Sequence, residues 1–165
     1  MTVFWDKEIL VLGCGNVLFG DDGLGPRVIE YLNENFKIPQ DVGVINAGLS
    51  VREILFNIAL ADKKPKKIII VDAVDVGKIP GDIFELEINK IPPIKIDDFS
   101  MHQLPTSNLL YELRNICGID VKVISAQIEH IPEEVEPGLS PALENAIPRL
   151  CNFILQEIEY IESCD

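Results

Sequence analysis

Three side chains that could do chemistry together stand in separate parts of the sequence, namely Asp22, Asp72 and His102. Asp22 lies in a glycine-rich stretch, Asp72 directly follows a predicted strand, and His102 precedes a predicted helix. Two carboxylates and an imidazole suit a borderline divalent ion such as zinc or nickel better than magnesium or calcium. Three protein ligands would also leave positions open for water or substrate. Two of these residues have ordinary alternative roles, because Asp72 could cap a helix or turn and His102 could simply begin a helix.

The pattern of apolar residues predicts the elements that would position these side chains. Strands are expected over residues 8–14, 42–46, 67–71, 82–88 and 121–126, and helices over residues 22–36, 51–60, 106–117 and 142–162. The third strand is continuously apolar, which is typical of a central parallel strand, whereas the fourth alternates as an edge strand does. This order predicts a single α/β domain over residues 1–165, with a doubly wound, largely parallel twisted sheet, helices on both faces and one antiparallel edge strand.

The predicted topology also predicts where the acidic residues meet. Right-handed crossovers bring the ends of the first and third strands to one edge of the sheet, which is the edge where open α/β sheets bind ligands. Asp22 and Asp72 are therefore expected to lie near each other. The segment before His102 is long enough to return to the same edge, and long loops of this kind are often functional.

Three local features are also expected around the second helix. Ser50 and Glu53 have the spacing of a capping box at its start. Its inward face is expected to include Leu55 and Leu60. The segment 61–67, which is rich in lysine, is expected to be a solvated connector.

Composition limits the partners and the compartment. The chain has 165 residues and a net charge of −13, which argues against nucleic acid or an anionic membrane as a partner. No apolar run approaches the ~20 residues of a membrane span, and the N-terminus has no basic region typical of a signal peptide. Four cysteines without CxxC spacing favour reduced thiols in a cytoplasmic protein.

Other readings of the glycine-rich stretch fit less well. A dinucleotide site would need a third glycine at position 18, which is Leu18. A receiver domain would need its acidic pair at the end of the first strand and a lysine at the end of the last, where only Ser125 stands. No G-x-S-x-G elbow is present. A thiolate at Cys14 would be disfavoured among carboxylates, and His130 among its glutamates is expected to be a surface residue.

Four stretches together resemble the hydrogenase maturation endopeptidases, the proteases that trim the C-terminal tail of a nickel–iron hydrogenase large subunit. They are residues 13–25 (GCGNVLFGDDGLG), residues 70–77 (IVDAVDVG) with 80–82 (PGD), residues 100–104 (SMHQL) and, less specifically, residues 136–141 (EPGLSP). The chain looks most like archaeal members that serve the deazaflavin-reducing hydrogenase. It departs from the family pattern at residues 46–49 (NAGL), where the family often has Asp-Gly-Gly.

The resemblance implies a function and a set of roles. Asp22, Asp72 and His102 would contact a metal, and Asp22 and Asp72 would be catalytic. Asn16 and Gly48 would contact the substrate, although Asn16 could equally stabilise a turn. The metal would be nickel supplied by the partner, a large subunit precursor, while isolated protein could hold an adventitious divalent ion. Nickel-bound water could attack the peptide, or a carboxylate could act as general base. A binding module or chaperone that recognises the same nickel site without cutting is the alternative.

Overall fold

A five-stranded mixed sheet forms the centre of the molecule in the computed structural model, which describes residues 6–88 and 107–163. The strands are β1 (Ile9–Cys14), β2 (Val42–Gly48), β3 (Lys67–Val74), β4 (Ile83–Leu86) and β5 (Asp120–Gln127). Their order across the sheet is β2-β1-β3-β5-β4. All neighbours pair in parallel except β4 and β5, which are antiparallel. The predicted doubly wound sheet with one antiparallel edge strand is confirmed.

Helices cover both faces of this sheet. They are α1 (Leu24–Asn35), α2 (Val51–Leu60), α3 (Ser107–Asn115) and α4 (Pro141–Ser163), and a 3-10 turn over Gly20–Gly23 precedes α1. Helices α1 and α4 pack on one face and α2 and α3 on the other, so that the sheet separates two apolar cores. Among the described residues, no helix is both long and apolar enough to cross a bilayer.

Strand alternation decides which face each polar residue meets. Ile69 and Val71 of β3 enter the core beneath α1 and α4, whereas Ile68 and Ile70 enter the core beneath α2 and α3. Asp72, which follows Val71, therefore points to the α2 and α3 face. Its register partner on β5 is Ser125, so both of these side chains lie on that face near the carboxyl ends of the strands.

Lys67 corrects one expectation from the sequence. It begins β3 and is only 1% exposed, so the connector 61–67 is not solvated throughout. Its ammonium group lies 2.5 Å from Oε2 of Glu157 on α4 and 3.2 Å from Oδ2 of Asp120. Lys122 donates a hydrogen bond of 2.8 Å to the other oxygen of Glu157. A buried lysine is tolerated here because it is paired.

Five further expectations need correction. Strand β3 continues to Val74, so Asp72 lies within the strand and does not end it, and β2 continues to Gly48. Helix α1 begins at Leu24, because the 3-10 turn occupies the residues where the helix was expected to start. Ser50 is the N-cap of α2 but makes no side-chain capping bond. Leu60, the last residue of α2, is exposed and does not lie on the buried face of the helix. His102 lies outside the described residues.

Candidate functional site

The glycine-rich loop between β1 and α1 folds tightly against its own strand. Gly15 has a φ of +130°, and a Cβ on it would lie 1.9 Å from the carbonyl oxygen of Asp22. A Cβ on Gly25 would lie 2.2 Å from the carbonyl oxygen of Cys14. Neither contact is sterically possible, so only glycine allows this path. The close packing places Asp22 directly above the end of β1.

Asp22 is a buried carboxylate in the 3-10 turn. It is 2% exposed, and the backbone N–H of Asn16 donates to its Oδ2 at 3.0 Å. Burial raises its pKa from the ordinary 3.8 to about 6, and the hydrogen bond from Asn16 lowers the pKa only in part. A carboxyl group with this pKa can change its protonation state near physiological pH.

Asp72 is the second buried carboxylate and stands on β3, against which the 3-10 turn packs. The backbone N–H of Ala73 donates to its Oδ1 at 2.8 Å. Burial raises the pKa of Asp72 well above its ordinary value, and the charge of Asp22 raises it further. The two groups therefore titrate as a coupled pair, in which ionising one carboxyl opposes ionisation of the other.

Cys14 lies at the end of β1 within reach of both carboxylates. Burial raises the pKa of its thiol well above the usual value, and the charges of Asp72 and Asp22 add to this effect. The thiol is therefore protonated and a poor nucleophile. Its 1% exposure is typical of a side chain that packs in the core.

Asp21 differs from Asp22 in its hydrogen bonds. Its Oδ2 accepts hydrogen bonds from the backbone N–H groups of Glu129 and His130 and from the hydroxyl of Ser140, while its Oδ1 accepts one from the backbone N–H of Ser140. These four bonds span 2.7–3.2 Å. Asp21 therefore ties the glycine-rich loop to the loop 128–140, and the acidic pair divides into one anchor and one site residue. The sequence offered no signal for this division.

Asn16 and Gly48 both stabilise the loops around Asp22. The side-chain oxygen of Asn16 accepts a hydrogen bond of 3.0 Å from the backbone N–H of Leu18, a local turn bond. Gly48 has a φ of +53°, and its carbonyl accepts a bond of 3.1 Å from the N–H of Gly15. The turn-stabilising role considered for Asn16 is thus present. Contact of either residue with substrate stays a prediction.

Metal binding by Asp22, Asp72 and His102 stays a prediction, because His102 lies outside the described residues. Within residues 6–88 and 107–163, no group of three His, Cys, Asp or Glu side chains is placed to hold a metal ion. His130 is exposed, as expected. Asp22 and Asp72 provide two adjacent oxygen donors, which fit a divalent ion that brings ligands of its own.

Ser125 is the residue at this edge that sequence reasoning did not select. It pairs with Asp72 in register and is fully buried. Its hydroxyl has no hydrogen-bond partner among the described residues. The alignment of β5 with β3 could have pointed to it, but that register is a property of the folded sheet.

The fold and the site define a doubly wound α/β protein with a pair of buried carboxylates at the carboxyl edge of its sheet. Its sequence matches the family model of the hydrogenase maturation proteases over residues 26–157. The chain is 41% identical over 154 residues to a putative hydrogenase maturation protease of Methanocaldococcus jannaschii, covering 93% of this chain and 97% of that protein.

Two further relatives agree with this match. The delta subunit of the coenzyme F420 hydrogenase of Methanothermobacter thermautotrophicus is 41% identical over 158 residues, covering 93% of this chain and 96% of that protein. The crystal structure of a nickel–iron hydrogenase maturation protease from Thermococcus kodakarensis superposes with a TM-score of 0.71 at 28% identity, covering 93% of this chain and 94% of that one. The chain belongs to the hydrogenase maturation protease family, which is a family of peptidases.

Proposed function

We propose that this protein is an endopeptidase that removes the C-terminal tail of the nickel-loaded large subunit precursor of a nickel–iron hydrogenase. The observation that carries the proposal is the pair of buried carboxylates, Asp22 and Asp72, on a chain that belongs to the maturation protease family. Nickel is part of the substrate here, since the precursor brings it.

Recognition of the nickel is assigned to Asp22, Asp72 and His102. A carboxyl that burial keeps partly protonated binds a cation by releasing its proton, because nearby positive charge lowers its pKa. The positive charge of a loaded precursor would therefore lower the pKa of both carboxyls and favour the doubly ionised pair. A precursor without nickel would bring no such charge and would leave both pKa values raised.

The chemistry assigned to the ionised pair is general base catalysis. A carboxylate within hydrogen-bond reach of a water takes its proton as the water attacks the scissile carbonyl. Asp22 and Asp72 are the candidates, and Asn16 holds Asp22 in place through its backbone N–H. Cys14 takes no part, because its thiol stays protonated. Action in the cytoplasm is part of the proposal, and it is consistent with the free thiols of the described cysteines Cys14, Cys117 and Cys151.

Mass spectrometry of a large subunit precursor, with and without nickel and with and without this protein, tests the proposal. Loss of a short C-terminal peptide is expected only for the nickel-loaded precursor. Cleavage regardless of nickel would contradict nickel recognition but keep the peptidase. Complex formation with precursor of unchanged mass would favour the non-cleaving binding module.

His102→Ala tests the third member of the trio. Loss of a metal-contacting group is expected to lower cleavage of the nickel-loaded precursor by at least about tenfold, since even groups that only support metal ligands contribute about 10–100-fold. His130→Ala is the matched control, since His130 is exposed, and it should cleave at the wild-type rate. Unchanged cleavage by His102→Ala would contradict the role of the trio.

A further inference from the structure

Large apolar side chains that face solvent are concentrated at the carboxyl edge of the sheet. Six of them, here named the apolar rim, follow the ends of β1, β2, β3 and β5, and they are Val17, Leu18, Leu49, Val76, Ile79 and Val135. The other exposed large apolar residues of the described chain lie on α2 or on and just after α3. Helices α1 and α4 expose none within the described residues.

Part of the rim is held in a fixed arrangement by a short parallel ribbon. Phe19 pairs with Glu136, the N–H of Glu136 donates to the carbonyl of Leu18, and the N–H of Gly20 donates to the carbonyl of Glu136. Leu18 and Val135 are therefore neighbours across the ribbon, at the spacing of about 5 Å between adjacent strands. Both are about half exposed or more, at 46% and 63%.

The ribbon is continuous with the carboxylate site. Asp21 fastens its two loops with four hydrogen bonds, and Asp22 is the next residue. Exposed apolar side chains on a rigid backbone are typical of protein interaction surfaces. Removing them from water stabilises the complex, and a backbone that is already ordered loses little conformational entropy on binding.

Charge indicates the chemistry of the partner. The exposed residues Glu133, Glu134 and Glu136 adjoin Val135, and the whole chain carries a net charge of −13. A partner surface that is apolar and carries lysine or arginine would complement both features.

We infer that the apolar rim is the docking surface for the protein substrate, the folded large subunit precursor, through an apolar and basic surface beside its nickel site. The inference rests on the proposed function. It adds that binding extends from the tail onto the body of the precursor, which would contact Leu18 and Val135 on the rigid ribbon.

Kinetics of precursor cleavage test the docking surface with a matched pair of variants. Leu18→Asp/Val135→Asp places two charges in the rim, and Leu60→Asp/Ile116→Asp places two charges on apolar residues that are even more exposed, at the opposite edge. The rim variant is expected to raise KM at least about tenfold with kcat nearly unchanged, as for central interface residues. The control should keep the wild-type KM. An unchanged KM in the rim variant, or an equal rise in the control, overturns the inference.

A second pair tests the charge complementarity without touching the apolar residues. Glu133→Lys/Glu134→Lys should raise KM and weaken its salt dependence, because attraction between the acidic loop and a basic partner is screened by salt. Glu34→Lys, an exposed change on α1, should do neither. Salt dependence unaltered in both variants would contradict a basic partner surface.

Calorimetric binding to the same nickel-loaded precursor separates this inference from the proposed function. If wild-type protein binds the precursor without cleaving it, the proposed function fails. The dissociation constants of the rim and control variants would still show whether the apolar rim is the docking surface. If it cleaves and the rim variant binds as well as wild type, only the docking surface fails. If it neither binds nor cleaves, both fail.

Discussion

Adjacent aspartates in this protein have opposite environments. Asp21 accepts four hydrogen bonds from the loop 128–140, whereas burial raises the pKa of Asp22 to about 6. The side chain of Asp21 stabilises the loop through its hydrogen bonds, whereas burial of Asp22 disfavours the ionised form of its carboxyl group. The residue type and position alone do not distinguish them, because the difference depends on which donors the distant loop delivers.

The raised pKa of Asp22 predicts a pH dependence of stability. Between its ordinary value of 3.8 and about 6, the folded state binds more protons than the unfolded state, so the free energy of unfolding falls as pH rises through this window. Asp22→Asn removes the effect. Its stability relative to wild type should therefore increase from pH 4 to pH 6, by at most about 3 kcal/mol at about 1.4 kcal/mol per unit.

Urea unfolding of both proteins at several pH values checks this. Burial raises the pKa of Asp72 in both proteins, but Asp22→Asn also removes the part of that shift that the charge of Asp22 causes. The difference between the two proteins therefore reports the coupled pair. A constant difference between wild type and Asp22→Asn across the window would contradict the raised pKa.

Asp21→Ala is expected to destabilise the fold by about 2–4 kcal/mol. The substitution removes four part-buried hydrogen bonds at once, to the backbone N–H groups of Glu129, His130 and Ser140 and to the hydroxyl of Ser140, and each contributes about 0.5–1.5 kcal/mol. Ser140→Ala is the milder comparison, because it removes only the hydroxyl bond, and it should cost about 1 kcal/mol. Thermal unfolding measures both, and equal losses would contradict the role of Asp21 as an anchor.

At the scale of elements, strands were predictable where apolar character alone decides them. Residues 68–71 of β3 are continuously apolar, and the alternation after Asp82 correctly indicated an edge strand. The boundaries were less predictable. Strand β3 extends through Asp72 because Asp72, Ala73 and Val74 each have a partner on β5, and such cross-strand pairing is not encoded in the local pattern.

The candidate site was predictable in outline because topology brings strand ends together. The meeting of Asp22 and Asp72 follows from parallel strands and crossovers. Asp21 bonds to residues more than a hundred positions away in the sequence, and Ser125 pairs with Asp72 about fifty positions away. Contacts between such distant residues cannot be predicted from local spacing. Lys67 was misjudged for the same reason, since its partner Glu157 lies 90 residues away.

An ion-pair network joins helix α4 to the sheet, and removing the charge of Glu157 from it is expected to lower the free energy of unfolding substantially. Glu157→Gln removes the carboxylate that contacts both Lys67 and Lys122. Because Lys67 is 1% exposed, its charge would lose its main buried partner, at a cost of about 3 kcal/mol. Glu30→Gln on α1 is the control, as its pair with Arg27 is exposed and should contribute less than about 1 kcal/mol.

Chemical unfolding at pH 7 compares the two variants. The pKa of Glu157 is lowered overall, since hydrogen bonds from Lys122 and Lys67 outweigh the raising effect of burial. Its stabilisation is therefore present at neutral pH and lost as pH falls below the ordinary value of 4.5. Equal losses in Glu157→Gln and Glu30→Gln would contradict a stabilising network.

In the whole molecule, the ion pairs that stabilise the fold and the carboxyl groups proposed for catalysis lie in different places. The paired charges of Lys67, Lys122 and Glu157 join α4 to β3 and β5. Asp22 and Asp72 lie near the carboxyl ends of the strands, where burial opposes their ionisation. Apolar side chains on exposed loops surround that edge. The buried carboxyl groups and the exposed apolar side chains, which both reduce stability or solubility, thus lie together at the carboxyl edge of the sheet. Groups that reduce stability are common at functional sites.

The burial of Asp22 and Asp72 has a consequence for how this sequence would change over generations. Replacing either with asparagine at neutral pH relieves a cost of burial, so folding by itself does not preserve them. Gly15 and Gly25 are different, because any side chain there would clash with the backbone. In a duplicated copy released from selection for activity, the two acids should therefore disappear before the glycines do. Such a copy would keep the shape of the loop long after losing its carboxylates.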